Sequence, residues 1–149
     1  SLFTVPTMYI NDPIPDLKGD ETLASADLFY PCIDLSDLRR VMRLDGTVTA
    51  ERLRHAAKSA VIRVQSDLAT WRAEQSIEHL SDDQPATYRS AVYSYTAASL
   101  TERMASFDST AEGIRRAEEL NNLAQQLMRD GHWAVRDLQG KPRTTVELI

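Results

Sequence analysis

Cysteine is almost absent from the sequence. The single thiol, Cys32, excludes an intrachain disulfide and fits a reducing compartment. Its neighbours Phe29, Tyr30, Pro31 and Ile33 are largely apolar, which predicts a small buried hydrophobe at this position. Glycine is scarce too, and its five residues form no phosphate-cradling loop. Zinc-ligand spacing and a nucleophile elbow are also missing. No apolar run approaches the roughly 20 residues that span a bilayer. Residues 1–10 carry no charged side chain, so no basic-then-apolar leader is read there, and the chain is expected in the cytoplasm or in an assembly made there. A basic excess is lacking as well. The net charge is −5 and the 17 Lys and Arg are spread along the chain, which argues against wrapping nucleic acid, since phosphate neutralisation dominates that affinity.

What is present is helical periodicity. At 149 residues the chain is most simply one domain with extensions, long enough to bury roughly two-thirds of its unfolded surface. Its last third carries the clearest pattern. Ser109 or Thr110 can cap a helix start by accepting a backbone N–H bond. A proline-free run follows to about Gln139. Ala117, Leu120, Ala124, Leu127, Gly131, Ala134 and Leu138 recur at alternating spacings of three and four, which places them on one stripe of a helix. Much of that stripe is alanine and glycine, so another helix can approach closely. Gly140 suits the left-handed residue after a helix end, and Pro142 blocks continuation.

Two further long helices and a short one are expected upstream. Asp34 is placed as an N-cap with Asp37 in the first turn, opening a short helix over residues 35–43 with Leu38, Val41 and Met42 on its apolar face. Asp45-Gly46 reads as a turn, and Thr49 as the next cap, with Val48 and Leu53 at hydrophobic-staple positions. Leu53, Ala57, Ala60, Val64, Leu68 and Trp71 then continue a helical stripe to about Glu74. Pro85 suits the first position of a third long helix over residues 85–105, with Tyr88, Val92, Tyr95 and Ser99 on one face. The predicted fold class is all-α: a helical bundle of one short and three long helices, with an extended N-terminal arm and a strand-like C-terminal tail. Residues 1–28 are the arm, residues 29–140 the bundle and residues 141–149 the tail.

Both extensions are apolar where a free terminus is usually polar. The arm holds Leu2, Phe3, Val5, Met8, Tyr9 and Ile10 among Pro6, Pro13 and Pro15, and reads either as a loose terminus or as a partner-binding arm. The tail is Arg143, Thr144, Thr145, Val146, Glu147, Leu148 and Ile149, β-branched and apolar. It reads as a segment made to dock, or as a strand packed on its own bundle.

Candidate chemistry is sparse. Glu51 and His55 share a helix face at ligand spacing, but Arg52 and Arg54 flank them and nothing completes a metal set. His79 and His132 lack partners at ligand spacing. Glu118-Glu119 and Asp82-Asp83 are adjacent carboxylates, which on a helix point about 100° apart and share no site. Arg115 is expected to pair with Glu119, and Arg116 with Glu112. Trp71 and Trp133 read as helix packing. No catalytic constellation emerges and no cofactor or metal is predicted.

Longer blocks resemble a known family. Leu44-Asp45-Gly46-Thr47-Val48-Thr49, Glu51-Arg52-Leu53-Arg54-His55-Ala56, Thr101-Glu102-Arg103, Phe107-Asp108-Ser109-Thr110-Ala111, Arg115-Arg116-Ala117-Glu118-Glu119-Leu120, Trp133-Ala134-Val135-Arg136-Asp137-Leu138 and the run from Pro142 to Ile149 resemble the head completion proteins (gene L products) of temperate contractile-tailed phages. The likeness begins near Phe29. It implies a structural virion protein at the head–tail junction, similar to the helical adaptors that form a ring under the portal, at about twelve copies if portal symmetry is followed. It implies the portal protein as partner, and a tail terminator or other tail-side protein beyond it. Genomic DNA would pass through the channel without specific binding, which an acidic balance tolerates, and no membrane is involved. On this reading residues 143–149 dock on the portal, and Leu2, Phe3, Val5, Tyr9 and Ile10 touch a neighbouring subunit or the tail side. The reading from another class is a cytoplasmic helical regulator or assembly chaperone that binds a partner through its apolar arms.

Overall fold

The computed structural model describes residues 21–105 and 110–141. In chain order these form two short strands, β1 (Thr22–Leu23) and β2 (Ile33–Asp34), and helices α1 (Leu35–Val41), α2 (Ala50–Asp67), α3 (Ala69–Ala73), α4 (Gln84–Met104) and α5 (Ala111–Leu138). The expected all-α class holds, with a two-stranded antiparallel ribbon added. Thr22 pairs with Asp34 and Leu23 with Ile33. Residues 21–28 therefore belong to the folded body.

Local signals set most helix ends. Asp34 accepts from the Ser36 and Asp37 N–H groups at the head of α1, Thr49 from Arg52 at the head of α2, and Thr110 from Gly113 at the head of α5. Each side chain satisfies a backbone donor that has no partner within its helix. Between α1 and α2, Asp45 accepts from the Thr47 N–H at 2.9 Å, so Asp-Gly makes the turn. Pro85 lies in the first turn of α4, where its missing N–H costs nothing. Gly140 has φ 75°, its N–H donates to Asp137 at 3.0 Å, and the Lys141 N–H donates to Arg136 at 2.9 Å. That pair of bonds is a Schellman motif, and it ends α5 where the sequence placed the end.

Helix α4 is the centre. Residues 91–98 are buried without a break, which a single apolar stripe does not produce. The Tyr88–Val92–Tyr95 face is one side of a helix enclosed by α2, α5 and α1. The buried hydroxyl of Thr96 donates to the Val92 carbonyl at 2.7 Å, one turn back on the same helix. Against α4 lie Leu53, Ala57, Ala60 and Val64 from α2, Leu68 at its C-cap, and Ala124, Gly131, Ala134, Val135 and Leu138 from α5. The small-residue stripe thus serves packing within the chain. A Cβ placed on Gly131 would sit 2.9 Å from Cε1 of Tyr95, so only glycine lets α5 come this close.

Several expectations change. The helix read to Glu74 is interrupted at Leu68, which is fully buried, with φ −92° and ψ 0°. The short α3 beyond it carries Trp71 and Arg72 onto Phe29 and Asp27. Val41 is 48% exposed, because Leu35, Leu38 and Met42 centre the inward face of α1 and Val41 lies about 90° away on the helix. Cys32 is exposed: in the extended chain around β2, Tyr30 and Ile33 turn inward and Cys32 turns out. Arg115 pairs with Glu112, at 3.2 Å, rather than with Glu119.

Candidate functional site

The residues singled out as docking segments, Arg143 to Ile149 and Leu2, Phe3, Val5, Tyr9 and Ile10, lie outside the described residues. The structure shows the two points from which those segments leave. On the N-terminal side, residues 21–30 are clamped. Asp27 accepts from Arg72 Nε at 3.0 Å and from the Phe29 N–H at 3.0 Å, and these bonds hold its carboxyl below the usual carboxylate range. The Arg72 guanidinium lies 4.0 Å above the Phe29 ring. Phe29 meets Tyr30 edge-on at 5.0 Å, and Tyr30 stacks on Tyr88 at 4.9 Å. Burial pushes the Tyr30 hydroxyl up to about 12. Gln65 closes the clamp, donating to Ser25 Oγ at 2.9 Å and to Tyr88 Oη at 3.1 Å.

The C-terminal exit is held by the Schellman turn and by Gln139, whose amide donates to the Asp67 carbonyl at 3.4 Å. Asp67 closes α2, and Gln65 lies two residues before that end. The C-terminal exit and the Ser25 end of the clamp therefore both sit at the pole of the bundle where α2 ends and α4 begins, while Glu21, the first described residue, lies at the head of α1, its carbonyl accepting from the Leu35 N–H at 3.3 Å.

From that pole a groove runs along the outer side of α4. Ala86, Ser90 and Ser94 form its floor at spacings of four, so they share one helix face. Asp130, Trp133 and Asp137 of α5 make one wall of a space of about 520 Å³. Helices α4 and α5 are joined by only six residues and pack on one another along their length, which makes them antiparallel. The same floor continues into a second space of about 280 Å³ walled by Val41, Met42 and Arg89. Below it Tyr93 Oη donates to Asp37 at 2.7 Å, and this bond, with that from Arg40, lowers the Asp37 pKa. The sequence reading missed this groove because it followed the aromatic face of α4. The repeat of small residues at 86, 90 and 94 was the available signal.

At the other end of the bundle Glu51, Arg52, His55, Leu100 and Arg103 border a space of about 190 Å³. Among the described residues no three His, Cys, Asp or Glu side chains gather as metal ligands would. No helix among them is long and apolar enough to cross a membrane.

The chain belongs to the phage head completion protein (GPL) family, whose model matches residues 24–149. It is 34% identical to the head completion/stabilization protein of Escherichia phage P2, over 91% of this chain and 88% of that protein. No solved structure gives a significant match. Its role is accordingly structural, in phage head assembly. The family match starts at residue 24, directly after β1 and close to where the clamp begins, and leaves out most of the arm.

Proposed function

We propose that this protein is a head–tail connector adaptor, a ring under the portal that prepares the filled head for tail attachment. The observation that supports it is membership of the head completion family, together with the Schellman turn and the Gln139–Asp67 bond that fix the point of the body from which the apolar C-terminal segment continues. The bundle forms the ring wall. Residues 144–149 dock on the portal by adding a strand to an exposed edge or by inserting into a groove, and Arg143 sets the register by ion pairing. Subunits contact head to tail through heterologous surfaces that close by rotation, with about twelve copies under portal symmetry. The N-terminal arm reaches the neighbouring subunit or a tail-side protein. DNA crosses the channel without specific binding, consistent with a net charge of −5.

The test is to mix the purified protein with the portal of its phage and image the mixture by electron microscopy. A ring stacked beneath the portal, lost when residues 144–149 are deleted from a chain that remains helical, is the expected result. Unchanged attachment of that truncation overturns portal docking by the tail.

A further inference from the structure

The groove on α4 begins where the C-terminal segment leaves the body. Lys141 follows the turn that closes α5, and Asp137, on the groove wall, lies within that turn. The floor is small and open: Ala86 and Ser90 are exposed, with Ser94 buried beneath. One wall is acidic at Asp130 and Asp137 with Trp133 between them, while the other holds Arg89, the apolar Val41 and Met42, and Asp37, whose carboxylate is already engaged by Tyr93 and Arg40. Residues 142–149 present the complementary order, with Arg143 first, Val146 next, then Glu147, Leu148 and Ile149. At about 3.3 Å per residue such a segment reaches roughly 26 Å when extended. The floor from Ala86 to Ser94 spans only about 12 Å of helix.

We propose that residues 142–149 occupy this groove of their own chain while the protein is free, with Arg143 on the Asp130–Asp137 wall, Val146 over Ser90 and the last apolar residues toward Val41. The intrachain occupant is favoured over a second copy by linkage. A segment tethered at the groove edge is present at an effective concentration on the order of millimolar, far above that of a free subunit in dilute solution. This rests on the reading of the tail as the portal-docking segment and adds a regulation to it. A tail held in the groove must leave before it can dock, so the apparent portal affinity falls by the fraction of subunits whose tail is free.

The experiment uses the full chain with Cys32→Ser, carrying Ser90→Cys with Val146→Cys, oxidised by oxidised glutathione. A control carries Arg52→Cys with Val146→Cys. Arg52 lies at the opposite end of α2 from the Gln139–Asp67 contact, roughly 22 Å away along the helix, whereas the chain from Lys141 to residue 146 extends over roughly 17 Å. The expected product is an intramolecular disulfide of one-chain mass in the Ser90 variant, absent from the control and suppressed by excess portal. A second variant, Ser90→Arg, fills the exposed floor without touching the core. Tryptic cleavage after Arg143 is expected to become at least several-fold faster in it, with the helical signal unchanged. No disulfide, equal disulfide in both pairs, or a disulfide only between chains overturns the proposal; the last outcome assigns the groove to the tail of a second copy. Portal attachment is read separately in the unoxidised chain. Failure there removes the docking reading and leaves the disulfide result standing.

Discussion

The two halves of α5 differ more than their sequence does. The stripe of small and apolar residues runs through both, at Ala117 and Leu120 as at Ala124, Gly131, Ala134 and Leu138. Yet the buried residues all lie from Ala124 onward. The difference comes from what stands opposite. With Gly131 seated on Tyr95 and the helices antiparallel, Met104 at the end of α4 faces a position near Asn122. The turns of α5 before that point run past the end of its partner by roughly 16 Å. Periodicity shows which face of a helix can be buried, and the length of the neighbouring helix decides how much of that face is.

The largest effect that would test this contrast is at the buried end. Leu138→Ala should cost about 3 kcal/mol in urea unfolding, by transfer and cavity terms, while Leu120→Ala, on the same stripe in the overhanging turns and only partly buried, should cost no more than about 1 kcal/mol. Equal costs would break the comparison. Gly131→Val should cost about 2 kcal/mol, because the ring of Tyr95 is itself buried and has little room to give. Ala117→Val, on the same stripe, should be close to neutral. Thr110→Ala should remove about 1 kcal/mol of helix-end stability, read by amide hydrogen exchange as faster opening confined to the first turns of α5.

A smaller effect sharpens the contrast from outside α5. The Asp27–Arg72 pair is about one-third exposed on each side, so solvent screens it and Asp27→Asn should cost no more than about 1 kcal/mol. Its sign with pH is definite. The Asp27 carboxyl is depressed in the fold, chiefly by its bond from Arg72. Its contribution is therefore present above the unfolded value of about 3.9 and is lost as pH falls through the lowered folded value. Asp27→Asn should flatten the stability profile below about pH 4 and leave it parallel to the parent at neutral pH. The smallest expected effect is Glu112→Ala, whose partner Arg115 is also exposed; stability should not change measurably.

Much of the fold was legible because its signals are local. A threonine or aspartate before a helical run binds the nearest orphan N–H groups, and Asp34, Thr49 and Thr110 each did so. Gly140 took the left-handed conformation its position called for. The candidate site was less legible. The arm and tail drew attention through apolar side chains in polar places, but the contacts that anchor the body beside them depend on Gln65, Arg72 and Gln139 reaching residues far away in sequence. Cys32 and Val41 were misread for the same reason: an apolar neighbourhood along the chain does not say which way one side chain points.

By itself the sequence determined the helical class, the caps and turns, the long final helix and the membership of a head completion family, because each rests on neighbours in the chain or on blocks of residues read in order. Only the tertiary structure decided that α4 is the enclosed helix, that the alanine–glycine stripe is spent on Tyr95 within the chain, that the C-terminal exit is tied to the end of α2 and that a groove opens beside it. Those depend on the register and relative length of packed helices, which are settled by long-range contacts that no local pattern encodes.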